Sequence, residues 1–117
     1  MTTLTAKSRF GKLVSRSRIQ RLADEIAHKF HPKKVILFGS YACGDATTDS
    51  DVDIFVILRA GTRGVDSLRI RRATFHDFPL DLIAMPQKRF DMRLKQGDFF
   101  LMDVVEQGVV LYEEKHA

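Results

Sequence analysis

The residues of this chain best suited to chemistry are three aspartates and a glycine-serine pair. Asp51 and Asp53 stand two apart at the start of Asp51-Val52-Asp53-Ile54-Phe55-Val56-Ile57-Leu58, a β-branched, apolar run that reads as a strand. Residues two apart on a strand share a face, so both carboxylates leave one side while Val52, Ile54 and Val56 leave the other. Like charges this close raise each other's pKa unless a cation sits between them, and a hard divalent ion such as Mg²⁺ is the natural remedy. Asp81 interrupts a second apolar run, Pro79-Leu80-Asp81-Leu82-Ile83-Ala84-Met85, where an unpaired charge is costly and calls for a metal, a cationic partner or water. If the two strands are neighbours, three carboxylates meet at the sheet's end and can hold two metal ions roughly 3.5 to 4 Å apart, one activating a hydroxyl and the other neutralising a triphosphate.

Each aspartate alone has a blander explanation: Asp51 as a strand cap, Asp53 turned to solvent, Asp81 paired with Arg59 or Arg72. Phe38-Gly39-Ser40 upstream tips the balance, because Gly39 lets backbone approach a phosphate and Ser40 offers both an amide and a hydroxyl. A strand, a Gly-Ser turn and two aimed carboxylates together suit phosphoryl transfer. Two rival motifs fail on specific residues. Gly39-x4-Gly44 is half of a P-loop, but Asp45 and Ala46 stand where Lys and Ser/Thr belong. Asp49, Asp51 and Asp53 imitate a calcium loop, but Ile54 replaces its glycine and Ala60 its bidentate glutamate.

The elements that must position these residues follow from periodicity. Ile19, Leu22, Ala23, Ile26, Ala27 and Phe30 form one apolar stripe on a helix from about Ser17 to Lys29, ended by Pro32. Val35 to Phe38 reads as a buried strand, Asp51 to Leu58 as a second and Leu80 to Met85 as a third. A basic-faced helix is expected over Val65 to Phe75. Pro86 opens another, Gly97 interrupts the pattern, and a last helix closed by Gly108 precedes a short strand from Val109 to Tyr112. The architecture is α/β: one small domain over 17–117 with a mixed β-sheet flanked by helices, preceded by a basic, flexible arm over 1–16.

A chain of 117 residues, 44% of them hydrophobic, supports one core and hence one domain. No apolar run approaches the roughly 20 residues of a membrane span, so a soluble protein without membrane contact is expected. The single Cys43 and the lack of an apolar secretory leader favour a cytoplasmic home. Lys7, Arg9, Lys12, Arg16, Arg18 and Arg21 precede any acid, which suits a basic arm better than an organelle-targeting segment. No zinc-finger spacing or aromatic RNA-binding motif accompanies this charge, so direct nucleic-acid binding is not expected.

Leu37-Phe38-Gly39-Ser40, ten residues ending in Ser50, then Asp51-Val52-Asp53 resembles the signature of the DNA polymerase β-type nucleotidyltransferase superfamily. The short length and the ending Glu106-Gln107-Gly108-Val109-Val110-Leu111-Tyr112-Glu113 resemble the minimal nucleotidyltransferases, antitoxin halves of HEPN/MNT toxin-antitoxin pairs, over about residues 17 to 114. The resemblance implies a nucleotidyltransferase fold in which Asp51, Asp53 and Asp81 hold Mg²⁺ and Gly39 and Ser40 contact the triphosphate of ATP. It further implies AMP transfer to a tyrosine of a cognate HEPN ribonuclease toxin, with release of pyrophosphate. Two other readings stay open: a non-catalytic antitoxin that neutralises by binding, and nucleotidyl transfer to a small molecule, which this chain could serve only as part of a homo- or hetero-oligomer. One departure is Cys43, where many relatives carry arginine, implying a weaker hold on the triphosphate.

Other features have plain readings. Cys43 is expected to be a small, partly buried packing residue. His28 and His31 lack further ligands at zinc spacing. Arg69, Arg71 and Arg72 suit a phosphate, an acidic partner or a solvated helix face equally well. Phe99, Phe100 and Met102 are expected chiefly in the core, with part of the last helix left for a partner.

Overall fold

The computed structural model describes residues 13–115. Helix α1, Arg16–Phe30, starts where the Ser15 hydroxyl accepts from the Arg18 amide at 3.3 Å. It ends at His31, whose left-handed backbone (φ 49°) lets its N–H reach the Ala27 carbonyl before Pro32. Strand β1, Lys34–Phe38, leads through Gly39 into the short α2, Ser40–Cys43. Strand β2 is Val52–Leu58, α3 Ser67–Ala73 and β3 Leu80–Pro86. Helices α4, Gln87–Lys95, and α5, Phe99–Gln107, precede β4, Val109–Glu113. The expected elements are therefore present, with ends shifted by one or two residues. Most of the basic arm expected over 1–16 lies outside the described residues; of its end, Val14 is buried and its N–H donates to the Tyr41 hydroxyl at 3.0 Å.

The four strands run in the order β3-β2-β1-β4. β2 and β3 are parallel, joined by a crossover through α3, while β1 is antiparallel to both β2 and β4. One face carries Val35, Leu37, Val52, Ile54, Val56 and Leu82 and is covered by the apolar stripe of α1 and by Ile70 of α3. The other carries Ile36, Phe38, Phe55, Ile57 and Met85 and is covered by Phe90 of α4 and by Leu101 and Val104 of α5. A sheet buried on both faces explains why β1 and β2 are nearly continuous apolar runs. Among the described residues no helix is long and apolar enough to cross a membrane.

One expectation about the core is overturned. Leu101 and Val104 fill it, but Phe99 is 85% exposed, Phe100 41% and Met102 38%. Asp98 caps α5, accepting from the Leu101 amide at 3.1 Å and from Arg93 at 2.6 Å. Gly108 ends the helix hard against the sheet, since a Cβ there would stand 2.6 Å from Ile36 Cγ2. These two fixed ends set the helix rotation, and Phe99 falls on the outside.

Leu101→Ala should cost about 2–5 kcal/mol in urea unfolding, as expected for a buried leucine. Phe99→Ala should stay within about 0.5 kcal/mol of the parent; similar losses in both would contradict this rotation of α5.

Candidate active site

The turn that delivers the first aspartate is closed locally. The Thr47 amide donates to Ser50 Oγ at 2.9 Å and the Ser50 amide to the Thr47 carbonyl at 3.0 Å. Asp51 follows, exposed and one residue ahead of β2. The Val52 amide donates to the Pro79 carbonyl at 2.9 Å, carrying the β2–β3 pairing to the strand mouths. Within that pairing Asp53 and Asp81 are register partners. Their carboxylates therefore leave the same face of adjacent parallel strands.

Antiparallel pairing makes Phe38 the partner of Asp53 on the other side. β1 thus ends where β2 and β3 begin, and Gly39, Ser40 and the aspartates gather at one end of the sheet. Gly39 has φ +73°, and a Cβ on it would stand 2.9 Å from Asp53 Cγ, deep inside contact distance. Only glycine meets both conditions. The Ser40 and Tyr41 amides open α2 and so have no intrahelical acceptor.

Asp53 continues the row of Phe55 and Ile57, whose side chains are buried under α4 and α5. Phe100 stands edge-on to Phe38 with ring centroids 5.4 Å apart and covers the rim of this small core. Burial there, followed by the charges of Asp81 and Asp51, pushes the Asp53 carboxyl up from 3.8 to about 6. No cation relieves it: among the described residues none of the three aspartates enters an ion pair, and Arg59, a candidate partner for Asp81, goes instead to Glu114 at 3.4 Å.

This donor set fits a hard divalent cation, being all carboxylate oxygens, with one group driven towards protonation by burial and then by its charged neighbours. Among the described residues no three His, Cys, Asp or Glu side chains stand at metal-holding spacing, so Asp51, Asp53 and Asp81 make no closed cage. Mg²⁺ is usually bound in this open way, by one or two carboxylates with substrate phosphates and water completing its shell.

Two further residues gain places. Cys43, expected to be partly buried, is exposed at the end of α2. Arg71 donates to the Leu80 carbonyl, tying α3 to the residue before Asp81. Nothing in the spacing of Arg69, Arg71 and Arg72 singled out Arg71, because its acceptor is a backbone carbonyl.

A glycine turn beside carboxylates at the mouths of paired strands has the chemistry to receive a polyphosphate and its counter-ions. The chain belongs to the nucleotidyltransferase domain family, whose profile matches residues 19–110, and it is a nucleotidyltransferase enzyme. It is 34% identical over 80 residues to a Methanocaldococcus jannaschii protein named as a putative protein adenylyltransferase, covering 68% of this chain and 78% of that one. The fold is shared with a crystal structure of a putative nucleotidyltransferase from Sulfolobus solfataricus, at TM-score 0.57 and 20% identity over 95% of this chain and 86% of that one. It is also shared with a crystal structure of a toxin-antitoxin with AMP-PNP, at TM-score 0.51 and 22% identity over 82% of this chain and 74% of that one.

Gly44 also has positive φ, +81°, but open space around it, so Gly44→Ala should lose only the backbone penalty of about 1–2 kcal/mol. Gly39→Ala should lose more, because Asp53 must also move; equal melting temperatures for the two would contradict the contact. The raised Asp53 pKa means that the folded state binds this proton more tightly than the unfolded chain, so stability falls as pH rises from about 4 to about 6 and stays low above that. Thermal melts without divalent ions should show Asp53→Asn gaining on the parent across that window, with the gap gone below about pH 4. A constant gap from pH 3 to 8 would rule this out.

Proposed function

We propose that this chain is a Mg²⁺-dependent antitoxin that transfers AMP from ATP to a tyrosine hydroxyl of a cognate HEPN ribonuclease toxin. The observation that carries the proposal is the side-by-side register of Asp53 and Asp81 next to the Gly39 turn. The adenylyltransferase name of the M. jannaschii relative and the AMP-PNP of the toxin-antitoxin neighbour support the donor and the reaction class. The HEPN partner and the tyrosine acceptor rest on the resemblance of the signature and the C-terminal segment.

In this reading Gly39 gives the triphosphate room to lie against backbone, and the Ser40 amide and hydroxyl donate to its oxygens. Asp51, Asp53 and Asp81 hold Mg²⁺, which when bound offsets the charge of the polyphosphate and of the leaving pyrophosphate. The tyrosine oxygen forms a bond to the α-phosphorus while the bond from that phosphorus to the bridging oxygen breaks, and pyrophosphate leaves with the electron pair. Asp81, exposed beside Asp53, takes the tyrosine proton. A bulky, charged AMP on the toxin then obstructs its RNA site.

Incubation with α-labelled ATP, Mg²⁺ and the protein encoded by the adjacent reading frame should label that protein. Asp51→Asn and Asp53→Asn should each reduce the rate by at least about 100-fold, and EDTA should do the same. Label that persists in both variants would sink the mechanism. Toxin inhibition without ATP that survives in both would support neutralisation by binding alone.

A further inference from the structure

Helix α5 presents an apolar surface that the core does not use. Phe99, Met102 and Val105 recur every three residues along one side of the helix and are 85%, 38% and 52% exposed. Exposed apolar side chains grouped in a contiguous row of this kind mark interaction surfaces, whereas scattered single ones do not. Phe99 is held there by the fixed ends of the helix, so it cannot turn inward without uncapping Asp98 or moving Gly108 off the sheet.

The surface is continuous with the catalytic end. Phe100, next to Phe99, is only partly covered and stands against Phe38, whose neighbour across the sheet is Asp53. A body resting on the outer side of α5 therefore lies against the rim of the aspartate site.

Charge narrows the choice of occupant. The helix Phe99–Gln107 contains Asp103 and Glu106 and no basic residue. Among the described residues neither acid enters an ion pair, and the aspartates at the neighbouring strand mouths add to the negative field. An apolar row edged by unpaired acids suits a segment with apolar side chains flanked by Lys or Arg. A second copy of this same surface would set acid against acid.

We infer that the outer face of α5 is the docking surface for the protein whose hydroxyl is modified, engaging a segment of apolar residues with basic flanks. This rests on the function proposed above and adds to it where the acceptor is held. In such a surface the large aromatic is the anchor, and removing it weakens binding while the chemistry proceeds unchanged once the complex forms.

The test uses the full chain, its Phe99→Ser and Asp103→Lys variants, and the purified protein of the adjacent reading frame. Phe99→Ser should raise the Kd for that protein and its KM as acceptor by about tenfold or more, with kcat and the KM for ATP unchanged. Asp103→Lys should weaken binding and lower its salt sensitivity. Melting temperatures equal to the parent's should confirm folding of both variants, and Asp53→Asn should still form the complex. Unchanged acceptor KM in Phe99→Ser would overturn the docking face while leaving the transfer reaction intact. A Phe99-dependent complex that is never labelled would overturn the transfer reaction and leave the docking face. A raised KM for ATP would assign Phe99 to the nucleobase, and a dimer of this chain dissolved by Phe99→Ser would assign it to self-association; either result overturns the inference.

Discussion

The structure turns on two like charges held side by side. Asp53 and Asp81 are register partners on parallel strands, and each could relieve the other only if the strands slipped or a cation came between them. Slippage is closed off, because a shift of one residue would exchange the rows that face the two cores: Val52, Ile54 and Val56 on one side, Phe55 and Ile57 on the other. The sheet is thus locked by burial on both faces, and the repulsion stays where it is. A fold that accepts this local cost has a site whose charge is set before any ligand arrives.

The same carboxylate dictates the turn across from it. Asp53 lies so close to Gly39 that no side chain fits there, and the positive φ of Gly39 directs the chain into α2. The glycine therefore serves the aspartate as much as any phosphate, and turn and strand cannot be altered independently. On the other side of the strand pair, Phe100 on Phe38 and Phe38 on Phe55 bring the second core up to the rim of the site. Burial, ahead of the two neighbouring charges, raises the pKa of Asp53.

Much of this was legible in the sequence because the signals are periodic or local. The stripe of Ile19, Leu22, Ala23 and Ile26 identified α1, and the apolar runs around Asp53 and Asp81 identified their strands. Neither run states its partner, so the adjacency of Asp53 and Asp81 was conditional until the strands were paired. Asp51 shares the spacing but lies just before β2, where no ladder fixes it. Phe99, Phe100 and Met102 were misread because composition reports how apolar a helix is and not how it is rotated; the cap at Asp98 and the contact at Gly108 decide that. Cys43 was misread for a related reason, since a four-residue helix at a strand end has little to bury it.

The openness of the site bears on how it works. Asp51 and Asp81 are exposed, and among the described residues no third ligand closes a cage around a metal. In water, charge-based stabilisation of a transition state is weak, and it grows only when solvent is shut out. Among the described residues α1 and α3 cover one face of the sheet and α4 and α5 the other, which leaves Asp51 and Asp81 exposed at the sheet's end. On the proposed function, the acceptor itself must supply that cover: a protein seated on α5 would bring its hydroxyl and exclude water in the same event. Specificity and rate would then share one cause, since a small acceptor that reached the aspartates without covering them would leave the site wet and slow.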